Sequence, residues 1–247
     1  MLKSKIKRIN RNDIYSIKIN IPSLPEQKLI VKILDEALDK IEKAKGNTEK
    51  NLKNSKELFE SYLQNIFLKS GEDWRRKSFG EIMEILTDYH ANGSYKVLKS
   101  NVELKNSEDY AWMVRSTDFE NDFENDKRYI SEKSYNFLNK SKIFGNEIIM
   151  SKIGNAGKVY LMPKINRPCS LAMNLFLIKL KEKEYLSEYV YRYLNSKDGQ
   201  KQISSRILGT TTKTITKENV RNIIIPVPSL IEQKSIVKKL DALSEQT

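Results

Sequence analysis

Histidine, cysteine and clustered carboxylates carry most proton and covalent chemistry in proteins, and this sequence uses them sparingly. His90 is the single histidine and Cys169 the single cysteine. A Ser–His–Asp arrangement would depend on His90, and no nucleophile elbow stands near it. One cysteine builds neither a zinc cluster nor an internal disulfide. The doubled Asp118-Phe119-Glu120-Asn121-Asp122 and Phe123-Glu124-Asn125-Asp126 is densely acidic. It lacks the glycine and terminal glutamate of a calcium loop and reads as a solvated acidic loop. Gly154-Asn155-Ala156-Gly157-Lys158 is glycine-rich but lies between two strand-like runs, without the helix that would aim amides at phosphate. A β-hairpin turn is expected there. No phosphate-loop or dinucleotide-binding glycine pattern occurs. These residues point to a chain with no catalytic residue, metal or cofactor.

Charge is the stronger signal. The formal net charge is +12, unevenly spread: about +5 over residues 1–72, about −5 over 73–126 and about +12 over 127–221. Such an excess in one part of the chain fits a polyanionic partner, with lysine-rich compositional bias as the alternative. No run of about 18 apolar residues exists, so no membrane helix is expected. The start, Met1-Leu2-Lys3-Ser4-Lys5, leads into polar residues rather than an apolar stretch. A soluble cytoplasmic protein is the expectation.

An internal repeat organises the chain. Residues 22–35 and 228–241 share Pro-Ser-Leu-x-Glu-Gln-Lys-x-Ile-Val-Lys-x-Leu-Asp, identical at 11 of 14 positions and offset by 206 residues. Upstream, Ile9, Ile14, Ile17 and Ile19 fall opposite Ile215, Val220, Ile223 and Ile225. The pattern predicts a β-branched strand (17–21, 223–225) ended by proline. A helix then opens on a Ser-x-x-Glu capping box, Ser23 with Glu26 and Ser229 with Glu232. In the first copy, Ile30, Leu34, Ala37, Ile41, Leu52, Phe59, Tyr62 and Ile66 follow a heptad-like seam over about residues 25–68, roughly 65 Å of helix. Gly46, between Lys45 and Thr48, marks a possible break. A lone amphipathic helix of this kind needs a partner face, and a coiled-coil partner is preferred over folding back on its own domain.

Between the repeats, short β-prone runs at 95–97, 112–114, 148–150, 159–161 and 175–180 mix with helical spacing at 186–194 and 199–206. The fold class is therefore α+β: one mixed α/β domain, preceded by a long coiled-coil-forming helix and followed by the start of a second such helix.

These stretches together resemble the specificity subunits of type I restriction–modification enzymes. The repeated helix opening is the most specific of them. Gly209-Thr210-Thr211-Thr212-Lys213-Thr214-Ile215, with Ile223-Ile224-Ile225-Pro226, looks like the end of a target-recognition domain, and residues 74–80 resemble its start. Residues 112–118 and 151–159 are similar to internal segments. The resemblance implies residues 1–24 as the end of a preceding unit, 25–70 as a spacer helix, 71–228 as a recognition domain and 229–247 as the start of a second spacer helix. It implies double-stranded DNA, methyltransferase and restriction subunits as partners. This chain would carry one recognition domain of two, reading half of a split target, as a fragment, a rearranged product or a half-subunit dimerising through its long helix. Arg115, Ser151, Lys152, Asn155, Lys158, Arg206, Thr210, Thr211 and Lys213 are the candidate DNA contacts, being cations and short hydrogen-bonding groups in or beside loops. Arg115 has an alternative as an ion pair with Asp118. A coiled-coil scaffold without DNA affinity stays open. So does a methyltransferase or nuclease with an unrecognised site, although Asn166-Arg167-Pro168-Cys169 is only faintly similar to an adenine-methyltransferase motif and no cofactor glycine motif accompanies it.

Overall fold

The computed structural model describes residues 10–68 and 74–244; Ile9 of the upstream repeat, the first and last residues and 69–73 lie outside them. Contacts divide the chain into two units, residues 1–54 and 55–247. The first unit holds α1 (Arg11–Tyr15) and the start of α2 (Leu24–Leu68). Asn10 and Asp13 form a reciprocal capping box on α1. In α2, the Gln27 side-chain amide donates to the Pro22 carbonyl at 2.7 Å. The Ser23 hydroxyl makes no bond to Glu26, so the expected box is absent there. The helix also runs unbroken through Gly46. A glycine costs about 1 kcal/mol in a helix, and the flanking i,i+4 pairs Lys43–Asp39 (2.8 Å) and Lys45–Glu49 (4.0 Å) support the turns around it. Ile30, Leu34, Ala37, Ile41 and Leu52 are all exposed.

The second unit has ten strands among its described residues. They are β1 (Arg75–Ser78), β2 (Met83–Asp88), β3 (Ala111–Val114), β4 (Tyr129–Ile130), β5 (Lys142–Ile143), β6 (Ile148–Ser151), β7 (Val159–Leu161), β8 (Cys169–Leu171), β9 (Leu175–Leu180) and β10 (Ile224–Val227). Its helices are α3 (Phe79–Ile82), α4 (Tyr95–Asn101), α5 (Ser116–Glu120), α6 (Glu132–Phe137), α7 (Ser187–Leu194), α8 (Lys197–Ser204), α9 (Lys217–Arg221) and α10 (Leu230–Ser244). One antiparallel sheet has the order β2-β9-β6-β7, a second the order β4-β3-β8-β5 with β3 and β8 parallel, and β1 pairs with β10 alone.

Strand β9 reads as a nearly continuous apolar run because both its faces are covered. Phe176 and Ile178, with Ile148 and Met150 of β6, join a core with the helices. The alternate residues Leu175, Leu177 and Ile149 meet Trp112, Val114, Cys169 and Leu171 of the second sheet. The helix-side core contains Leu63 and Phe67 from the end of α2, Tyr189 and Tyr193 of α7, and Ile236, Val237 and Leu240 of α10. Phe59 and Ile66 of the predicted seam pack against this core, while Tyr62 is about one-third exposed.

Several sequence expectations fail. Residues 95–97 open helix α4 rather than a strand. Tyr95 and Val97 stay exposed, and burial falls on Leu98, whose carbonyl accepts from the Val102 amide, so helical spacing outweighs β propensity. The first-copy run 17–21 forms no strand, and Ile17, Ile19 and Ile21 are exposed. Its counterpart β10 pairs antiparallel with β1, from Arg75–Val227 to Ser78–Ile224. Pro226 lies inside β10 instead of ending it, as an edge strand allows. That edge is closed by side chains. Gln202 both accepts from the Ile224 amide and donates to its carbonyl, each at 2.9 Å, and the Tyr189 hydroxyl donates to the Pro226 carbonyl at 2.7 Å. At α10 the Glu232 amide donates to the Ser229 hydroxyl, but the Glu232 carboxylate takes the Trp74 indole N–H instead of closing the box.

Candidate nucleic-acid interface

Two turns, far apart in sequence, are clamped side by side. The first joins β6 to β7 as the expected hairpin. The Ser151 amide donates to the Lys158 carbonyl and the Gly157 amide to the Ser151 carbonyl, both at 2.8 Å. Gly154 (φ +82°) and Gly157 (φ +85°) take left-handed conformations. A Cβ on Gly157 would stand 2.3 Å from Cγ2 of Ile203, so this glycine lets the turn sit against α8. The second turn closes with reciprocal 2.8 Å bonds between the backbones of Leu208 and Thr214. The Gly154 amide then donates to the Lys213 carbonyl, and the Ile215 amide to the Lys152 carbonyl, each at 3.1 Å. A shallow groove of about 470 Å³ opens here, lined by Asn155, Lys158, Asn195, Gln200, Ser204 and Lys213 among others.

Seven of the nine nominated residues meet at this face: Ser151, Lys152, Asn155, Lys158, Thr210, Thr211 and Lys213. Ser151 is buried in β6, whereas Asn155, Thr210, Thr211 and Lys213 are exposed. Arg206 anchors the second turn by donating to the carbonyls of Gln202 (2.8 Å) and Asn222 (3.0 Å). Arg115 sits at the start of α5, where its guanidinium bonds the fully buried Asp118 (2.9 Å) and also Asp126 and the Asp126 carbonyl. The ion-pair reading of Arg115 therefore describes its geometry.

Most cations of the face already have carboxylate partners. Lys152 Nζ lies 3.0 Å and Lys217 Nζ 3.4 Å from the buried Asp88. Burial of Asp88 opposes its ionisation, but the Lys152 hydrogen bond and the two lysine charges outweigh that and hold the carboxyl below its ordinary value. Lys158 Nζ donates to Glu120 at 2.8 Å, and the Tyr160 hydroxyl does so at 3.3 Å. The Lys158 bond is the main cause of the lowered Glu120 carboxyl. Lys213 makes no ion pair among the described residues. Asp88, Glu120 and Lys217 were not legible as site residues. Asp118–Asp126 was read as a solvated loop, yet Asp118 is wholly buried and Glu120 reaches across to the hairpin.

Nothing among the described residues clusters His, Cys, Asp or Glu so as to hold a metal ion. Cys169 lies buried in β8, and burial pushes its thiol up to about 12. Arg167, beside it, donates to Glu108 (3.0 Å) and to the Asp109 carbonyl (2.8 Å), a structural use of the residues compared above with a methyltransferase motif. No helix among the described residues is long and apolar enough to cross a membrane.

This fold is that of type I specificity subunits. A chain from the structural study of complex assembly and conformational transition of the type I R-M system superposes over 96% of this chain and 56% of its own, with TM-score 0.68 and 19% identity. The HsdS subunit from Thermoanaerobacter tengcongensis superposes over 100% of this chain and 57% of its own, with TM-score 0.57 and 20% identity. The chain belongs to the family described as the type I restriction modification DNA specificity domain, which matches residues 2–54 and 71–247. Among similar proteins is the type I restriction enzyme MjaVIII specificity subunit of Methanocaldococcus jannaschii, 22% identical over 96% of this chain and 58% of its own length. The putative type I restriction enzyme MjaX specificity subunit of the same organism is 26% identical over 96% of this chain and 55% of its own. The chain thus spans a little over half the length of these relatives. Both of these relatives are named specificity subunits.

Proposed function

We propose that this chain reads one half of a bipartite duplex DNA target for a cytoplasmic type I restriction–modification system. Residues 71–228 act as the recognition domain, and the helices over 25–70 and 229–247 position methyltransferase and restriction subunits. The observation that carries the reading is the pair of backbone-clamped turns, which presents Asn155, Thr210, Thr211 and Lys213 together to solvent. Short polar groups beside a free lysine suit base edges and phosphate at once. The exposed Ile30, Leu34, Ala37, Ile41 and Leu52 support a second copy, or a second helix of the same repeat, packed along α2. A two-fold dimer of this kind reads an inverted repeat.

The test is fluorescence anisotropy with labelled duplex DNA over a salt series. Lys213→Ala is expected to weaken binding and lower the log–log salt slope by about one, as for loss of one phosphate contact. Thr210→Ala with Thr211→Ala is expected to weaken a selected sequence more than random DNA. Absence of DNA affinity at low salt, with and without a methyltransferase partner, would establish the scaffold alternative instead.

A further inference from the structure

We propose that Glu120 competes with DNA phosphate for Lys158 and thereby holds down sequence-independent binding at the recognition face, an inference that rests on that face being the DNA-binding surface. Glu120 ends α5, within the segment that carries net negative charge. Its carboxylate accepts from Lys158 Nζ at 2.8 Å and from the Tyr160 hydroxyl at 3.3 Å. Both donors follow the hairpin turn that holds Asn155. One carboxylate therefore gathers two polar groups of the face.

Its position is not accidental to a floppy loop. The ring of Phe119, the preceding residue, stacks on Tyr160 with centroids 4.5 Å apart and planes at 19°, and Phe123 sits edge-on to both Phe119 and Trp112. These contacts fix the end of α5 against β7, so Glu120 faces Lys158 before any ligand arrives.

Among the carboxylates holding the face's cations, Glu120 alone suits exchange. Asp88 is buried, serves two lysines and also accepts from the Ala91 amide, so its pairing is part of the fold. The Lys158–Glu120 pair has both ends substantially in solvent, with side chains 48% and 36% exposed. Exposed pairs are weak and screened by salt, so a phosphate can replace the carboxylate. Random DNA must displace Glu120 to gain one phosphate contact; a matched site has base contacts to add to it.

The test uses the purified chain, a random-sequence duplex and anisotropy titrations between about 50 and 200 mM salt. Glu120→Gln keeps an acceptor for Tyr160 but removes the charge that holds Lys158. It is expected to bind random duplex several-fold more tightly, with a log–log salt slope steeper by about one. In a Lys158→Ala background, Glu120→Gln is expected to leave the slope unchanged, which separates release of Lys158 from a mere change in net charge. An unaltered slope in natively folded Glu120→Gln overturns the proposal, and so does an equal slope change with and without Lys158. If the unsubstituted chain binds no duplex at any salt, the DNA-binding reading fails, and this inference with it.

Discussion

Ile19 and Ile225 occupy the same position of the internal repeat, and replacing each with alanine separates what local sequence does from what packing does. Ile225 is fully buried in β10, opposite Lys77 of β1, within the core that holds Tyr189, Val220 and Ile223. Ile19 is 74% exposed and pairs with nothing among the described residues. Removing a fully buried isoleucine side chain to its Cβ costs about 2–5 kcal/mol, and a site wedged between a sheet and helices relaxes little, so about 3–4 kcal/mol is expected for Ile225→Ala. Ile19→Ala is expected within about 0.5 kcal/mol of unsubstituted protein. At roughly 2–4 °C per kcal/mol for a unit of this size, Ile225→Ala lowers Tm by about 6–16 °C while Ile19→Ala scarcely moves it. Trp74 and Trp112 both lie in the globular unit, so tryptophan fluorescence during thermal or denaturant unfolding reports on it directly. Equal shifts refute the reasoning. Two large shifts would mean the first copy is covered in solution, and two small ones that β10 is not part of the core.

Three further outcomes are expected. Arg115→Ala leaves the buried Asp118 with only backbone help and is expected to cost about 2–4 kcal/mol in thermal unfolding without changing the salt slope of DNA binding; a lowered slope at native stability would restore Arg115 as a phosphate contact. Asp88 has a folded carboxyl lowered from 3.8, so its contribution is present above the unfolded value and lost as pH falls through the lower folded one; Asp88→Asn is expected to be less stable near neutrality and to lose less stability below about pH 4, as denaturant titrations across pH will read. Cys169, with its thiol raised to about 12, is expected to resist alkylation in the native protein at pH 8 and to react on unfolding; fast labelling of folded protein would contradict its burial.

Much of the architecture is legible in residue order. The runs that become β3, β6, β7 and β9 stand out because each is apolar and β-branched or aromatic, and α7 and α8 show helical spacing. The two-residue strands β4 and β5 are too short for any period to show, and β1, β2 and β8 do not stand out either. At the candidate interface, residue type located the hairpin and the Gly209–Lys213 turn. It could not reveal Asp88, Glu120 and Lys217, whose roles depend on partners 38 to 129 positions away. The acidic stretch looks solvated because the cation that Glu120 reaches, Lys158, lies elsewhere in the chain, although Arg115 and Arg128 are local partners. Folding brings Glu108, Glu120 and Asp88 onto Arg167, Lys158, Lys152 and Lys217, so part of the basic excess is already compensated.

The repeat marks the boundary between the two kinds of information. Sequence alone determines the helices: α1 and α9, like α2 and α10, begin 206 residues apart in matching positions. Gln27 and Gln233 both donate to the carbonyl of the proline five residues earlier. A helix and its caps are closed by bonds within a few residues, so the same sequence yields the same element wherever it stands. Strand formation and burial are decided by tertiary structure. Ile223 and Ile225 become core because β1 supplies the missing ladder, and Leu240 because α7 and the end of α2 share its core, while Ile17, Ile19 and Leu34 keep the same chemistry and stay in water. A strand's hydrogen bonds and an apolar side chain's burial both need a partner from elsewhere in the fold, and no local sequence can provide it.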